Sequence, residues 1–129
     1  MKMQEIEISF SKEKVTAVLL DKEAPHISEI FWQSLPFESI ATHAKIAGEE
    51  IMVHAPLFVE PENEVKPQDP GNICLWQGRQ IICIFYESVP GLGPTSLFAK
   101  VTENLEGLKA AGRRIWFKQG ERVSFRRKT

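Results

Sequence analysis

The segment PGNICLWQGRQIICIFY, from Pro70 to Tyr86, most constrains what this chain can fold into. Two short apolar runs, rich in β-branched and aromatic residues, flank the link Gln77-Gly78-Arg79-Gln80, which predicts a β-hairpin. Gly78 as the first of two turn residues suits a type II′ turn, and that register places Cys74 opposite Cys83. Because both faces of this hairpin are apolar, it is expected inside a sheet that is covered or closed.

The rest of the chain predicts one soluble domain, residues 1–129. With 43% hydrophobic and 26% charged residues and a net charge of −1, the composition is ordinary for a globular protein. No run approaches the roughly 20 apolar residues of a membrane helix, so no membrane partner is expected. The N-terminal segment MKMQEIEISF has no secretory apolar core, which predicts a cytoplasmic location.

The basic charge is concentrated at the C-terminal end. Residues 113–129 carry seven bases against one acid. No aromatic stacking platform accompanies these bases, which disfavours a nucleic acid partner. The tail is interpreted as a solvated last strand, or as a surface that complements the acidic part of its own fold or of a second copy. A homodimer therefore stays open.

The two cysteines are too few for a disulfide framework. Cys74 and Cys83 would face each other across the central hairpin, at a non-hydrogen-bonded position where side chains approach closest. Two buried, reduced thiols that act as small hydrophobes are favoured over a redox pair.

Periodicity and turn residues predict about eight strands and two short helices. Alternation predicts strands, Pro25 suits the first turn of a helix, Thr102 can cap a second helix, and Gly112 can end it. So many antiparallel strands favour closure into a barrel, because closure removes sheet edges. The predicted elements are strands 4–10 and 15–21, a helix over 24–35, a hairpin over 37–55, a surface loop over 56–71, the central hairpin, an irregular loop over 87–94, a strand over 96–101, the second helix, and strands 113–118 and 122–127.

The 37–55 hairpin carries most of the candidate chemistry. With Ala47-Gly48 as its turn, Lys45 lies opposite Glu50 and His43 opposite Met52. One face then becomes a core face and the other a polar face, and a one-residue slip would exchange them. The core face collects Ile40, Thr42, Ala44, Ile46, Ile51 and Val53, and the polar face collects His43, Lys45, Glu50, Met52 and His54.

Several short segments mark a resemblance over essentially the whole chain. They are Ala24–Leu35 followed by Pro36-Phe37, His43-Ala44-Lys45 leading into Gly48-Glu49-Glu50-Ile51, Pro70-Gly71 with Trp76-Gln77-Gly78, and Leu105–Gly112 with Trp116, Gly120 and Phe125. In this order they resemble the small bacterial cyclophilin-like proteins of unknown function. The resemblance implies a mainly β fold: a closed cyclophilin-like antiparallel β-barrel.

True cyclophilins are peptidyl-prolyl isomerases with a Phe-His-Arg segment before the hairpin and a Phe-Met-Xaa-Gln-Gly-Gly segment after it. Matching His43 and Gly48 to that pattern puts Ala44 at the catalytic arginine, Glu49 at the aromatic position and Met52 at the glutamine. The guanidinium is missing, and a carboxylate replaces an apolar wall. The resemblance therefore implies a barrel without isomerase activity by that mechanism, because fold alone does not carry function.

The polar face of the hairpin is the predicted site, since the binding groove of cyclophilin-like barrels lies there. His43 and His54, as diagonal neighbours near a carboxylate, could act as acid or base or hold a metal. The structural alternative is a solvated exterior with a Lys45–Glu50 pair. Aromatic side chains beside flexible loops can wall a pocket. The predicted ligand-binding residues are His43, Lys45, Glu49, Glu50, His54, Trp76 and Tyr86.

The sequence thus predicts a barrel that binds a small molecule or short peptide, with no cofactor and no metal. One alternative is an enzyme, either a divergent isomerase or a small hydrolase using His43 with Glu49 or Glu50. Another is a protein-interaction subunit that uses the acidic loop 56–71 or the basic tail.

Overall fold

The computed structural model describes residues 4–46 and 48–128. Strands dominate this part of the chain, with one helix near the start and one near the end. The elements are β1 (Glu5–Ser9), β2 (Lys14–Leu19), α1 (Pro25–Ser34), β3 (Phe37–His43), β4 (Glu50–His54), β5 (Glu64–Val65), β6 (Asn72–Trp76), β7 (Ile81–Phe85), β8 (Thr95–Glu103), α2 (Leu105–Phe117) and β9 (Glu121–Arg127).

Eight of these strands form a closed antiparallel barrel. Their order is β2-β1-β9-β3-β4-β7-β6-β8, and the pairing of β8 with β2 closes the ring. The two-residue strand β5 pairs with β8 beside the ring. The predicted mainly β fold, a closed barrel of about eight antiparallel strands with two short helices, is confirmed. None of the helices in the described ranges is long and apolar enough to cross a membrane.

Two apolar layers explain why both faces of the central hairpin are apolar. The larger layer is shared by the strands and both helices. The smaller one covers the other face of β6 and β7, and it includes Val89 from the 87–94 loop, with Val65 of β5 packed against it. The larger layer includes Ile6, Ile8, Phe31, Ile51, Val53, Ile73, Leu75, Ile82, Ile84, Phe98 and Phe125. The smaller layer contains Cys74, Ile81, Cys83, Phe85, Val89 and Leu97.

The central hairpin has the predicted register but a different turn. Trp76 pairs with Ile81 and Cys74 with Cys83. The positive φ lies at Gln80, with a value of 54°, so the type II′ turn with Gly78 in first position is wrong. Both cysteines are free and buried, as predicted. Burial raises the pKa of the Cys74 thiol to about 12 and raises that of Cys83 as well, which keeps both protonated at neutral pH.

The β3–β4 hairpin is present, but its predicted register is wrong by one residue. His43 pairs with Ile51 and Ala41 with Val53, so His43, predicted on a polar outer face, has a buried side chain on the same side of β3 as the core residue Ala41. Ile40 is 44% exposed and Ile46 is 85% exposed, although both were expected in the core. The connection between His43 and its observed partner Ile51 comprises residues 44–50, one residue fewer than the predicted pairing of His43 with Met52 requires, and this difference exchanges the faces of β3. Ala47 of the predicted turn lies outside the described residues.

The helices confirm one predicted boundary and correct two. Helix α1 begins at Pro25, as expected. The cap of α2 is Asn104, whose side-chain oxygen accepts a hydrogen bond from the Gly107 N–H at 3.1 Å, whereas Thr102 lies within β8. Helix α2 continues through Gly112 to Phe117, so the predicted strand 113–118 is wrong.

Gly112 allows α2 to pack closely against the Tyr86 ring and does not end the helix. A Cβ atom there would lie 2.2 Å from Cε1 of Tyr86, far inside van der Waals contact. Only glycine lets α2 approach the Tyr86 ring this closely. The aromatic ring and the helix therefore fix each other's position.

The loop predicted over residues 56–71 is only partly a surface loop. It contains β5, and Gln68 within it is almost completely buried. The Gln68 amide donates to the Val65 carbonyl at 3.1 Å and its oxygen accepts from the Asn72 amide at 3.0 Å. The segment is therefore anchored to the outside of the sheet.

The C-terminal bases pair with acids of the same chain. Arg114 bonds both Glu13 and Glu121, Arg126 pairs with Glu7, and Lys128 pairs with Glu103. This is the predicted complement between the basic tail and the acidic part of its own fold.

Candidate functional site

A pocket of about 500 Å³ lies where β3 ends, between the β3–β4 connection and the last turns of α2. We call it the α2 pocket. The hairpin contributes basic and acidic side chains, and the helix contributes aromatic ones. It is lined by His43, Lys45, Ile46, Gly48, Glu49, Tyr86, Glu87, Arg113, Trp116 and Phe117.

A buried histidine–tyrosine pair forms part of this lining. His43 Nδ1 lies 2.7 Å from the Ala44 carbonyl oxygen, and His43 Nε2 lies 2.6 Å from the Tyr86 hydroxyl. A carbonyl can only accept, so Nδ1 carries the ring hydrogen of the neutral imidazole. Nε2 is then the acceptor, and the Tyr86 hydroxyl donates to it. Both ring nitrogens of His43 are thereby satisfied.

Burial keeps both members of the pair uncharged near neutral pH. Burial lowers the pKa of His43, and the nearby Lys45 acts in the same direction, while the Ala44 carbonyl and Glu49 oppose them. Burial also raises the pKa of the Tyr86 hydroxyl, with Glu49 adding to that effect. The pair can therefore accept a proton at His43 or donate one from Tyr86 without first being ionised.

The rim of the α2 pocket combines both signs of charge with exposed aromatic rings. Lys45 Nζ lies 3.8 Å from the centroid of the Trp116 ring and donates to the Trp116 carbonyl at 3.0 Å. Arg113 lies 3.5 Å from a carboxylate oxygen of Glu87. Phe117 is 82% exposed although it is large and apolar. Such a rim can contact a ligand that is both charged and aromatic.

A smaller pocket of about 200 Å³ lies on the outer face of β4 and β7, under residues 91–95. We call it the loop pocket. Glu50 is only 4% exposed yet lines this space. Its pKa is raised by burial, with the Cys83 thiol beside it acting in the opposite direction. The pocket is lined by Glu50, Trp76, Cys83, Phe85, Gly91, Leu92, Gly93, Pro94 and Thr95.

The predicted site residues are divided among three pockets. The α2 pocket brings together four of them, His43, Lys45, Glu49 and Tyr86. Glu50 and Trp76 line the loop pocket. The exposed His54 lines a third pocket, where its carbonyl accepts from the Ser39 hydroxyl at 2.7 Å.

This division corrects two predictions that assumed a single polar face. The Lys45–Glu50 pair is wrong, because Lys45 contacts Trp116 and Glu50 is buried in another pocket. His43 and His54 do not share a face, so the metal alternative built on them is wrong too. Across residues 4–46 and 48–128, no group of three or more His, Cys, Asp or Glu side chains is placed to hold a metal ion.

Sequence reasoning missed the helical wall of the α2 pocket. Arg113, Trp116 and Phe117 were assigned to a strand, because Gly112 was interpreted as the end of the helix. A signal for a longer helix was present, since the buried positions Leu108, Ala111 and Ile115 continue at helical spacing past Gly112.

Comparison with known proteins identifies a family and a shared fold. The family described as Protein of unknown function (DUF3830) has a model that matches residues 6–126. The chain belongs to this family. A comparison of this DUF3830 protein with curated proteins finds no match.

The solved structures that are similar to this DUF3830 protein include the following two. One is described as the structure of McbB in complex with tryptophan, with 25% identity, a TM-score of 0.86, and coverage of 95% of this chain and 44% of that chain. The other is the solution structure of the hypothetical protein AF2241 from Archaeoglobus fulgidus, with 21% identity, a TM-score of 0.75, and coverage of 98% and 95%. This chain therefore spans less than half the length of the McbB chain. Neither description names a cyclophilin.

Proposed function

We propose that this DUF3830 protein binds a free amino acid with an aromatic side chain in the α2 pocket. The observation that carries the proposal is the rim itself, where two cations, two carboxylates and two aromatic side chains meet around one opening. An amino acid presents a carboxylate, an ammonium group and, in the aromatic class, a ring. Each has a complementary group in this lining.

The charges of the rim suit a zwitterion better than a simple anion or cation. Lys45 and Arg113 supply positive charge for a carboxylate, and Glu49 and Glu87 supply negative charge for an ammonium group. The exposed Phe117 ring offers an apolar surface on which a ligand ring can pack. A pocket of about 500 Å³ lies within the range of small-molecule sites.

The similarity to McbB supports this ligand class. McbB was solved in complex with tryptophan, and its chain is 25% identical to this one over 95% of the present chain. Because this chain spans less than half of McbB, the similarity supports the choice of tryptophan as the first probe and nothing about a reaction.

The test is calorimetric titration with L-tryptophan. The wild-type protein is expected to bind, and Arg113→Gln is expected to lose about tenfold in affinity, the size expected for one charged contact. Arg126→Gln is the matched control, because Arg126 is also an exposed arginine paired with a glutamate but lies on β9. Tryptamine and indole-3-propionate, each lacking one charged group, should both bind more weakly than tryptophan.

Two results would contradict the proposal. Absence of binding at millimolar tryptophan would remove the ligand class. Equal losses in Arg113→Gln and Arg126→Gln would show a general charge effect and would move the ligand away from the α2 pocket.

A second candidate function is acid–base catalysis in the same pocket. The observation that favours it is the 2.6 Å bond between His43 and Tyr86, which joins a neutral base to a protonated acid. Of the acids proposed as partners for His43, Glu49 shares its pocket and Glu50 does not. Prolyl isomerisation of a short peptide and hydrolysis of an activated ester should be measured with the wild type and His43→Gln. Turnover that disappears in His43→Gln, with tryptophan affinity retained, would favour the enzyme.

A further inference from the structure

We propose that the loop pocket is a second binding site, which takes a small organic ammonium ion carried on a compact apolar body. This site is separate from the α2 pocket, and the proposal does not depend on the function proposed there.

The first observation is that the Glu50 carboxyl is buried but lacks a cation. The backbone of Glu50 is fixed, because its carbonyl accepts from the Ala44 N–H at 3.0 Å and its N–H donates to Gly48 at 2.9 Å. Its strand neighbour Ile51 faces the core, so the Glu50 side chain faces the other way, into the loop pocket. Within the described part of the chain, no salt bridge and no N–H group reaches this carboxyl, and the Cys83 thiol is its polar neighbour.

A buried carboxylate without a cation is costly to keep in a folded protein. Burial among apolar groups disfavours the ionised form of Glu50, which is why its pKa is raised. A bound ammonium ion would supply the missing charge together with N–H donors. The site is therefore incomplete in a way that one class of ligand would correct.

The walls of the pocket define the rest of the ligand. Trp76, Phe85, Leu92 and Pro94 make them largely apolar, and Thr95 contributes one hydroxyl. Lysine, arginine and histidine are absent from the described lining, so nothing there would hold an anion. The volume of about 200 Å³ is below the roughly 300 Å³ at which drug-sized sites begin, which limits the ligand to a compact molecule.

The ionisable neighbours of Glu50 give the binding a defined pH dependence. Cys83 on β7 and Cys74 on β6 stay protonated because burial raises the pKa of each thiol. Residues 91–95, which cover the pocket, contain no ionisable side chain. The proton that leaves when an ammonium ion binds must therefore come from Glu50, and ammonium affinity should increase as the pH rises through the raised pKa of this group.

The test compares phenethylamine with its neutral analogue 2-phenylethanol by calorimetry. The amine should bind the wild type more tightly than the alcohol, and only the amine should gain affinity with rising pH. Glu50→Gln should weaken amine binding by at least about tenfold and leave the alcohol unchanged, because it removes a charge and almost no volume. Glu38→Gln, at an exposed position of β3, is the matched control and should change neither affinity.

The wild-type comparison keeps the proposal testable even if Glu50→Gln fails to fold. Equal affinities of amine and alcohol in the wild type would overturn the proposal, as would an amine affinity that does not change with pH. Retention of amine affinity in folded Glu50→Gln would also overturn it. Loss of amine binding in Glu49→Gln, with Glu50→Gln unaffected, would place the amine in the α2 pocket and equally reject the loop pocket as its site.

Discussion

The α2 pocket and the loop pocket each contain a buried ionisable side chain from the same hairpin. The two side chains differ in how many of their polar atoms have hydrogen-bond or charge partners. Both ring nitrogens of His43 have hydrogen-bond partners within 2.7 Å. The Glu50 carboxyl, equally buried, has a thiol beside it and no cation among the described residues. The comparison separates a buried polar group whose hydrogen bonds the fold satisfies from a buried acid that the fold leaves without a counterion.

The two side chains also give stability opposite dependences on pH. The pKa of His43 is lowered, so the unfolded chain binds its proton more tightly, and the stability from His43 is present at high pH and lost as the pH falls through the histidine range. The pKa of Glu50 is raised, so its contribution is present at low pH and lost as the pH rises from the ordinary glutamate range through its raised value. Each site favours the neutral side chain.

The largest expected effect on stability comes from Gly112→Ala, which would disrupt the packing of Tyr86 and its hydrogen bond to His43. The added Cβ would lie 2.2 Å from the Tyr86 ring, so the ring must move away from His43. We expect a loss of about 1–3 kcal/mol in the free energy of unfolding, measured by urea denaturation. Gly93→Ala is the control, because nothing lies within 4 Å of its Cβ position. Equal stabilities of the two variants would contradict the close packing of α2 on Tyr86.

Tyr86→Phe should have the next largest effect. It removes the hydroxyl that donates to His43 Nε2 and leaves a buried acceptor without its partner. A loss of about 1–2 kcal/mol is expected in the same denaturation experiment. Ser39→Ala, which removes an exposed hydroxyl bonded to the His54 carbonyl, should cost less. If the order of these two losses were reversed, the His43–Tyr86 bond would contribute little to stability.

Glu50→Gln should stabilise the protein, whereas the substitutions at the His43–Tyr86 pair should destabilise it. At pH 8 the variant should unfold at a higher temperature than the wild type, since a buried carboxylate is replaced by a neutral amide. As the pH falls into the ordinary glutamate range, the Glu50 carboxyl becomes protonated and the difference should disappear. Thermal melts across this pH range measure the effect. A gain that persisted at low pH would have a cause other than charge.

The smallest effect is expected for Lys45→Ala at the rim of the α2 pocket. Its ammonium group lies over the Trp116 ring but is exposed to solvent, so a loss of about 0.5–1 kcal/mol is expected. Lys22→Ala, at an exposed position before α1, is the control for removal of one surface charge. Tryptophan fluorescence during denaturation measures the free energy of unfolding of both variants. Similar values for the two lysines would show that the contact with Trp116 adds nothing.

The central hairpin was predictable because a short link between two apolar runs leaves one register that pairs them. The β3–β4 hairpin was less predictable because the connection after His43 is irregular, and its length sets which side chains face the core. The burial of Glu50 depends on residues 91–95, which are distant in sequence and carry no periodic signal. The hydrogen bond between His43 and Tyr86 depends on the position of α2. That position was not predicted, because Gly112 was interpreted as the end of the helix.

Glu49 and Glu50 are consecutive, yet they line different pockets. Their α-carbons are about 3.8 Å apart, the distance across one trans peptide. The Glu49 carbonyl accepts from the Tyr86 N–H at 3.2 Å, and Glu50 pairs with Phe85, so both acids are attached to the same end of β7. If an occupant of one pocket shifts this strand end and so changes affinity in the other pocket, thermodynamic reciprocity requires the reverse effect to have the same factor.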